Sequence, residues 1–270
     1  MISDDAVARA AALVARADAL VFAAGAGMGV DSGLPDFRGN EGFWRAYPPY
    51  AALGLDFADL ANPAWFRRDP GFAWGFYGHR QALSRRTVPH EGFARLLDAA
   101  ARAHAFVFTS NVDGQFQRAG FSEDAIVECH GSLHHLQCLD GCGQPIFPAT
   151  HADVDVDPES FRARGPLPSC PSCGGLARPN VLMFGDRGWD DARTDAQRDR
   201  LARFLAGRRG ALVVVECGAG VSIPTVRAFS ERLASAGAAL VRIDPRACEA
   251  PVGHVGLPLG ARAALCQIFP

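Results

Sequence analysis

The sequence contains no lysine, and all 27 of its basic residues are arginine. The simplest explanation is the base composition of the genome, so the bias by itself indicates no function. An excess of either charge is also missing, because 29 acidic residues leave a net charge of −2. A nearly neutral chain gives no indication of a nucleic-acid-binding surface.

Long hydrophobic runs are missing as well. No apolar run reaches the roughly 18 residues that a membrane span needs, so we expect no transmembrane helix. The N-terminal segment lacks the basic start and uninterrupted apolar core of a secretory signal, and its spacing is typical of an amphipathic helix. We therefore expect a cytoplasmic protein, in which the eight cysteines do not form a disulfide framework.

Four of the cysteines lie in two close pairs. Three residues separate Cys138 from Cys142. Two residues separate Cys170 from Cys173, and 27 residues lie between the pairs. Two such loops complete a tetrahedral zinc site, and four thiolates leave no position open for water. We therefore expect a structural zinc ion; the alternative, four unrelated buried cysteines, is disfavoured because the pairing occurs twice.

Apolar, β-branched segments alternate with helical ones along much of the chain. Segments typical of buried parallel strands, each ending in Gly, Ser, Asn or Asp, are 19–25, 104–111, 211–218 and 239–244. Segments with Ala, Leu and Arg at helical spacing are 4–18, 90–103, 194–207 and 224–236. The alternation predicts an α/β fold with a doubly wound parallel sheet, a Rossmann-like domain that binds ligands at the carboxyl ends of its strands.

Two stretches interrupt this alternation and predict insertions. Residues 133–180 hold the cysteine pairs and many Pro and Gly residues, which predicts a small zinc-binding module. Residues 40–88 are aromatic and helical without strand signals, which predicts a helical insertion. The Rossmann-like domain would then comprise 1–39, 89–132 and 181–270.

A glycine-rich turn follows the first predicted strand. The backbone N–H groups of Gly25 and Gly27 can face a pyrophosphate there, although a tight strand–helix turn explains two glycines about as well. The sequence then continues through "LPDFRG", which cannot start a helix. Its charged residues, Asp36 and Arg38, favour a polar ligand over a plain surface.

Polar residues also follow the second predicted strand. Asn111 and Asp113 stand at alternate positions where the sheet edge would meet a ligand, although both are ordinary turn residues too. His130 stands beside a glycine after a short apolar run, which makes it a candidate general base, although a single histidine is more often structural. We interpret His134 and His135 as ordinary loop residues near the zinc-binding module.

Several motifs together resemble those of one family. These are "GAGMGVDSGLPDFRG" at 25–39, "TSNVDG" at 109–114, "CHG" at 129–131 and "RPNVLMFGD" at 178–186, with the cysteine module between the last two. In this order they resemble the signatures of the sirtuins, the NAD-dependent protein-lysine deacylases. The resemblance covers nearly the whole chain, and it implies that the 40–88 insertion carries a cofactor loop. It implies that the cofactors are NAD and structural zinc, and that the partners are acylated proteins or peptides.

The resemblance also implies roles for individual residues. It implies that His130 is the general base, with Asn111 and Asp113 as further catalytic residues. Residues that it implies bind the cofactor are Gly25, Ala26, Gly27, Val30, Asp36, Phe37, Arg38, Ser110, Asn111, Val112, Asp113, His130, Gly218, Ala219, Gly220, Asp244 and Ala261. Leu182, Phe184 and Gly185 would form a strand that pairs with the substrate peptide. The implied products are nicotinamide, free lysine and O-acyl-ADP-ribose.

The sequence departs from the family pattern at several of these positions. The departures are Gly29 for Ser, Ser110 for Gln, Ala219 for Thr, Gly220 for Ser and Asp244 for Asn. The missing hydroxyl groups would loosen cofactor binding without abolishing it. We expect the Asp244 carboxylate to accept from the adenosine ribose hydroxyls and to repel a 2′-phosphate, which favours NAD over NADP.

One further motif concerns the acyl group. Tyr77 and Arg80 have the Y-x-x-R spacing with which one sirtuin class binds acidic acyl groups, such as succinyl. A packed tyrosine and a solvated arginine on a plain helix are the alternative.

The resemblance over the whole chain thus predicts an NAD-dependent lysine deacylase. The alternatives are a sirtuin-like ADP-ribosyltransferase or NAD hydrolase, and a non-catalytic NAD sensor.

Overall fold

The structure is a computed structural model that describes residues 4–36, 44, 46–150 and 152–269. Phe37 and Arg38, two of the predicted cofactor-binding residues, lie outside the described residues.

The elements follow one another in five stretches of the chain. The first holds α1 (Asp4–Ala15), β1 (Ala19–Ala24) and a 3-10 helix (Ala26–Ser32). The second holds α2 (Pro48–Ala52), α3 (Phe57–Leu60), α4 (Trp65–Arg68) and α5 (Pro70–Arg86). The third holds α6 (Glu91–Arg102), β2 (His104–Thr109), α7 (Gln115–Arg118), a 3-10 helix (Glu123–Ala125) and β3 (Ile126–Glu128). The fourth holds β4 (Gly131–Cys138), β5 (Phe147–Pro148), β6 (Asp155–Val156), β7 (Ala163–Arg164) and β8 (Ala177–Val181). The fifth holds α8 (Ala192–Gly207), β9 (Leu212–Cys217), α9 (Thr225–Ser235), β10 (Ala239–Ile243), β11 (Val255–Leu257) and α10 (Ala261–Ile268).

Six of the described strands form one parallel sheet in the order β11-β10-β9-β1-β2-β3. The central strand β1 is buried along its whole length because side chains pack against both of its faces. Leu20 and Phe22 face a cluster that includes residues of α1, α6 and α10, while Val21 and Ala23 face a cluster that includes residues of α8 and α9. The predicted α/β fold and its four strands and four helices are confirmed, with ends that move by up to three residues.

The register of the sheet brings the carboxyl ends of neighbouring strands level. Ala24 of β1 pairs with Thr109 of β2 on one side and with Cys217 of β9 on the other. The loops that follow these strands therefore begin side by side at one edge of the sheet. Sequence reasoning missed β3 and β11, because a strand of three residues carries too little periodicity to be recognised.

The cysteine-containing stretch forms its own small sheet, in the order β5-β4-β8, with antiparallel pairing. His134 and His135 lie in β4, so their interpretation as loop residues is wrong. The sheet packs against α5 in an aromatic cluster shared with the helical stretch, in which Trp74 donates a hydrogen bond from Nε1 to the carbonyl of Ala177. Gly75 permits a close approach of the chain, since a Cβ there would lie 1.9 Å from the carbonyl oxygen of Phe161.

Within the described ranges, no helix combines the length and apolar character needed to cross a membrane.

Candidate functional site

The four paired cysteines meet at one point, with Sγ atoms that all lie within 4.8 Å of one another. The Sγ atoms of Cys138 and Cys173 are 3.7 Å apart, and those of Cys142 and Cys170 are 3.6 Å apart. A tetrahedral zinc ion with Zn–S bonds of about 2.3 Å needs sulfurs about 3.8 Å apart. The four free thiols therefore fit zinc, and the closed set of ligands suits a structural site.

A cavity of about 540 Å³ lies at the carboxyl edge of the parallel sheet, between the sheet and the aromatic cluster. One group of lining residues comes from the loops after β1, β2, β3, β9 and β10. The other comes from α5 and from the segment after β8. Together these groups include Gly25, Ala26, Asp36, Tyr77, Arg80, Ser110, Asn111, Val112, Asp113, His130, Leu182, Phe184, Gly218, Ala219, Gly220 and Arg246.

The glycine-rich turn crosses the loop after β9 at very short range. Gly25 donates its N–H to the carbonyl of Cys217, and Gly27 donates its N–H to the carbonyl of Gly218. A Cβ at Gly25 would lie 2.7 Å from the carbonyl oxygen of Gly218. These two N–H groups were expected to face a pyrophosphate, and that expectation is wrong, because the neighbouring loop accepts their hydrogen bonds. Gly25 is therefore needed for the crossing itself.

A 3-10 helix, Ala26–Ser32, follows this crossing directly. It ends at Gly33, which has a φ of +89°, and the chain continues to Asp36 without regular structure. Gly29 is buried beneath Leu34, whose Cβ would lie 3.2 Å from a Cβ at position 29. A serine at position 29 would thus need Leu34 to shift by a few tenths of an ångström. The Asp36 carboxylate lies 3.4 Å from the guanidinium of Arg246 at the cavity.

A hydrogen bond holds the segment after β2 against the glycine-rich turn. Asn111 donates from Nδ2 to the carbonyl of Gly25 at 3.0 Å, and its own N–H donates to Oγ1 of Thr109. The carboxylate of Asp113 accepts from the N–H of Gln115. Burial, together with the nearby charge of Glu128, raises the pKa of Asp113 to about 6, although the hydrogen bond from the Gln115 N–H acts in the opposite direction. The cavity therefore holds a carboxyl group that titrates just below neutral pH.

His130 stands between β3 and β4, half-buried at the cavity. Its Nε2 lies 3.3 Å from Oγ1 of Thr225. Burial lowers the pKa of His130, and the charge of Arg198 lowers it further, while a hydrogen bond to the backbone of Ser110 raises it. Because the pKa lies below 6.5, the imidazole is mostly neutral at pH 7 and able to accept a proton.

Tyr77 and Arg80 lie on α5 and both line the cavity. The Arg80 guanidinium lies 5.2 Å from the ring centroid of Phe76, 5.7 Å from that of Phe57 and 5.8 Å from that of Tyr77. Tyr77 is fully buried, and its hydroxyl has no hydrogen-bond partner among the described residues. Burial raises the pKa of Tyr77 to about 12, so the phenol keeps its proton as a donor.

The segment after β8 borders the cavity on the other side. Leu182 and Phe184, 38% and 44% exposed, line it, but they follow the strand instead of forming one. The N–H of Leu182 donates to the carbonyl of His130, and the N–H of Phe184 donates to the carbonyl of Ala61. Gly185, with a φ of +68°, turns the chain toward the buried ion pair of Arg178 and Asp186. The expectation of a strand over these residues is therefore wrong.

Besides Gly27, three predicted cofactor-binding residues do not line the cavity. Val30 is 44% exposed on the 3-10 helix, and Ala261 is 3% exposed in the core at the start of α10. Asp244 is 1% exposed, and its Oδ1 accepts the N–H groups of Arg246 and Ala247. The prediction that Asp244 accepts hydrogen bonds from ribose hydroxyls is wrong for this arrangement, because its carboxylate accepts from N–H groups of its own loop.

Sequence reasoning missed several residues that line the cavity. Arg246 and Ala247 follow the end of β10, while Ser222 and Ile223 lie in the loop after β9. The rule that ligands bind after the carboxyl ends of parallel strands could have indicated all four. Phe57 belongs to the helical stretch and carries no local signal of this kind.

The model of the Sir2 family matches residues 25–202. The chain is 34% identical over 202 residues to the NAD-dependent protein deacylase sirtuin-5, mitochondrial, of Danio rerio, a match that covers 68% of this chain and 63% of that protein. The same protein of Canis lupus familiaris is 36% identical, over 64% of this chain and 58% of its own length. The chain thus spans less than two thirds of these two relatives.

Other similar proteins are covered almost throughout. The NAD-dependent protein deacylase of Thermus thermophilus is 31% identical over 252 residues, which is 91% of this chain and 87% of that protein. A crystal structure of a Sir2 homolog–NAD complex superposes with a TM-score of 0.72 at 26% identity, covering 97% of this chain and 92% of that one.

Proposed function

The chain belongs to the Sir2 family, and from this premise we propose that it removes acyl groups from lysine side chains of proteins, with NAD as co-substrate. The observation that carries the proposal is the cavity that Asn111, Asp113 and His130 share with Leu182 and Phe184. It brings polar groups at the sheet edge next to an apolar, half-exposed segment where a substrate chain can lie.

The residues of the cavity fit a dinucleotide. The crossing at Gly25 and Gly218 leaves no room for a Cβ on either residue, so the backbone itself forms the floor there. Ala26, Ala219 and Gly220 continue this floor with small side chains. NAD, when bound, would supply the ADP-ribosyl group that accepts the acyl group, while nicotinamide is released. We propose that these five residues hold its phosphates and ribose.

Asn111, Asp113 and His130 are proposed to act at the reacting end of the cavity. Asn111 is fixed by its bond to Gly25 and so orders the pocket wall. Asp113, when ionised, can accept from the N–H groups of a carboxamide. His130 is mostly neutral at pH 7 and can take a proton from a ribose hydroxyl, a role that typically contributes about 10²–10⁴ in rate.

The remaining parts of the proposal concern the protein substrate and the architecture. Leu182 and Phe184 are proposed to contact the residues that flank the acylated lysine. The four cysteines are proposed to hold zinc and so stabilise the small sheet without taking part in the reaction. The division into a Rossmann-like domain, a helical insertion (40–88) and a zinc-binding module (133–180) also belongs to this proposal.

We propose further that acidic acyl groups are among the substrates. The buried hydroxyl of Tyr77 lacks an acceptor among the described residues, and the Arg80 guanidinium lies nearby over the Tyr77 ring. A carboxylate at the end of an acyl chain would accept from Tyr77 and pair with Arg80. A methyl group, as in acetyl, would leave the hydroxyl unpaired.

The experiment is a panel of acetyl-, succinyl- and long-chain acyl-peptides with NAD, followed by mass spectrometry. Wild-type protein should form O-acyl-ADP-ribose, and Arg80→Met should lower the succinyl-to-acetyl rate ratio at least tenfold. Arg85→Met is the matched control, because Arg85 lies on the same helix but pairs with Asp153. An unchanged ratio in Arg80→Met would exclude the acidic-acyl proposal. ADP-ribosylated protein or free ADP-ribose, without the acylated product, would instead identify a transferase or an NAD hydrolase.

A further inference from the structure

The imidazole of His130 contacts a side chain that no motif in the sequence singles out. Oγ1 of Thr225 lies 3.3 Å from its Nε2. Thr225 is the first residue of α9, directly after a loop whose Gly218, Ser222 and Ile223 line the cavity. We infer that Thr225 is a positioning residue, whose hydroxyl donates a hydrogen bond to Nε2 of His130 and holds the neutral ring with its proton on Nδ1.

The hydrogen bonds around the ring give the direction of this bond. A neutral imidazole has one nitrogen that donates and one that accepts. A hydrogen bond to the backbone of Ser110 raises the pKa of His130, which is the effect of a carbonyl that accepts from a ring N–H. Since Nε2 faces Thr225, the N–H that Ser110 accepts is on Nδ1. Nε2 then carries a lone pair, to which a threonine hydroxyl can donate.

The charge of Arg198, on a neighbouring element, acts in the same direction. Arg198 of α8 lowers the pKa of His130 from its ordinary value, and Arg198 is itself paired with Asp195. On β3, the carboxylate of Glu128 is paired with Arg193 at 2.7 Å. A hydrogen bond donated to the neutral ring favours that ring over the imidazolium. Thr225 would therefore help keep His130 unprotonated at neutral pH.

The inference rests on the proposed function only for its consequence in catalysis. If His130 is the general base, Nε2 is the nitrogen that takes the proton once a substrate hydroxyl replaces that of Thr225. Because Thr225 lies two residues after Ile223, a ligand that displaces the loop can release Nε2. The geometry in the free protein does not depend on which reaction the protein catalyses.

The test measures directly where the proton lies on the His130 ring and at what pH the ring titrates. In free protein labelled with ¹⁵N-histidine, the His130 signals are identified by their loss in His130→Gln. Wild-type protein should show the proton on Nδ1. In Thr225→Val, which keeps the shape but removes the hydroxyl, the titration midpoint of His130 should rise by roughly 0.5–1 pH unit. Thr225→Ser should restore the wild-type midpoint. In Thr225→Val, the acid limb of the pH profile of kcat/KM should move by the same amount as the midpoint.

The matched control is Thr194→Val. Thr194 is buried on α8, and its hydroxyl donates to the carbonyl of Glu128, two residues before His130. This variant should leave the midpoint unchanged even if its Tm falls. A wild-type proton on Nε2 would overturn the inference without any variant, as would an equal rise in both valine variants. Absence of deacylation with the expected titration shift would count against the proposed function alone.

Discussion

Gly218→Ala should show how far the cavity depends on the crossing of two loops. Gly218 has a φ of +61°, which L side chains rarely adopt. A Cβ at this position would lie 2.3 Å from the carbonyl carbon of Gly27 and 2.4 Å from its Cα. Both are backbone atoms, so no flexible side chain can move aside.

Two contributions set the size of the effect. The left-handed backbone costs a non-glycine residue about 1–2 kcal/mol. An additional methyl group in a closely packed region costs about 1–3 kcal/mol. We expect Gly218→Ala to lower the free energy of unfolding by about 2–5 kcal/mol, which corresponds to a fall in Tm on the order of 10 °C. NAD affinity should fall as well, because the same backbone forms the floor of the cavity.

The matched control is Gly253→Ala. Gly253 has a φ of +89°, but a Cβ there would have no atom within 4 Å. It should therefore show only the backbone contribution, about 1–2 kcal/mol, and no loss of NAD affinity. Urea and thermal unfolding measure the stabilities, and calorimetric titration measures NAD binding. Equal destabilisation of the two variants would refute the close-crossing argument.

Three other perturbations test the zinc cluster, the carboxyl group of Asp113 and the glycine-rich turn. We expect metal analysis of the wild-type protein to find one zinc ion per chain. Removing zinc with a chelator, or replacing Cys173 by Ser, should abolish that zinc content and lower Tm. A zinc-free protein of unchanged Tm would contradict a structural role. Because the folded pKa of Asp113 is raised to about 6, its contribution to stability is present at low pH and lost as pH rises through 6. Unfolding experiments at pH 4.5 and 7 should therefore show a smaller loss of stability with rising pH in Asp113→Asn than in the wild-type protein. Equal pH dependence in the two proteins would disprove this contribution of Asp113. Gly29→Ser should change the free energy of unfolding by less than about 1.5 kcal/mol, since Leu34 can shift, and a larger loss would show that it cannot.

Much of the fold and part of the site could be predicted because their signals are local. The strands β1, β2, β9 and β10 are mostly apolar, and each is followed directly by a polar residue or glycine. Strand ends in a parallel sheet lie along one edge, so the order of strands and loops was enough to place Asn111, Asp113 and the glycine-rich turn together. The spacing of the cysteine pairs is a local signal of the same kind, and it predicted the cysteine cluster.

The rest depended on contacts between segments far apart in the chain. The N–H groups of Gly25 and Gly27 looked available until the loop after β9 supplied their acceptors. Asp244 looked like a ribose ligand until the following turn enclosed its carboxylate.

The sequence by itself therefore determined the fold class, the cysteine cluster and the segments that border the cavity, because spacing and burial patterns are properties of neighbouring residues. Only the tertiary structure decided which polar groups remain open to a ligand, because a hydrogen bond to a distant loop satisfies a group without leaving any trace in the local sequence. The contact between Thr225 and His130, 95 positions apart, is a case of the second kind.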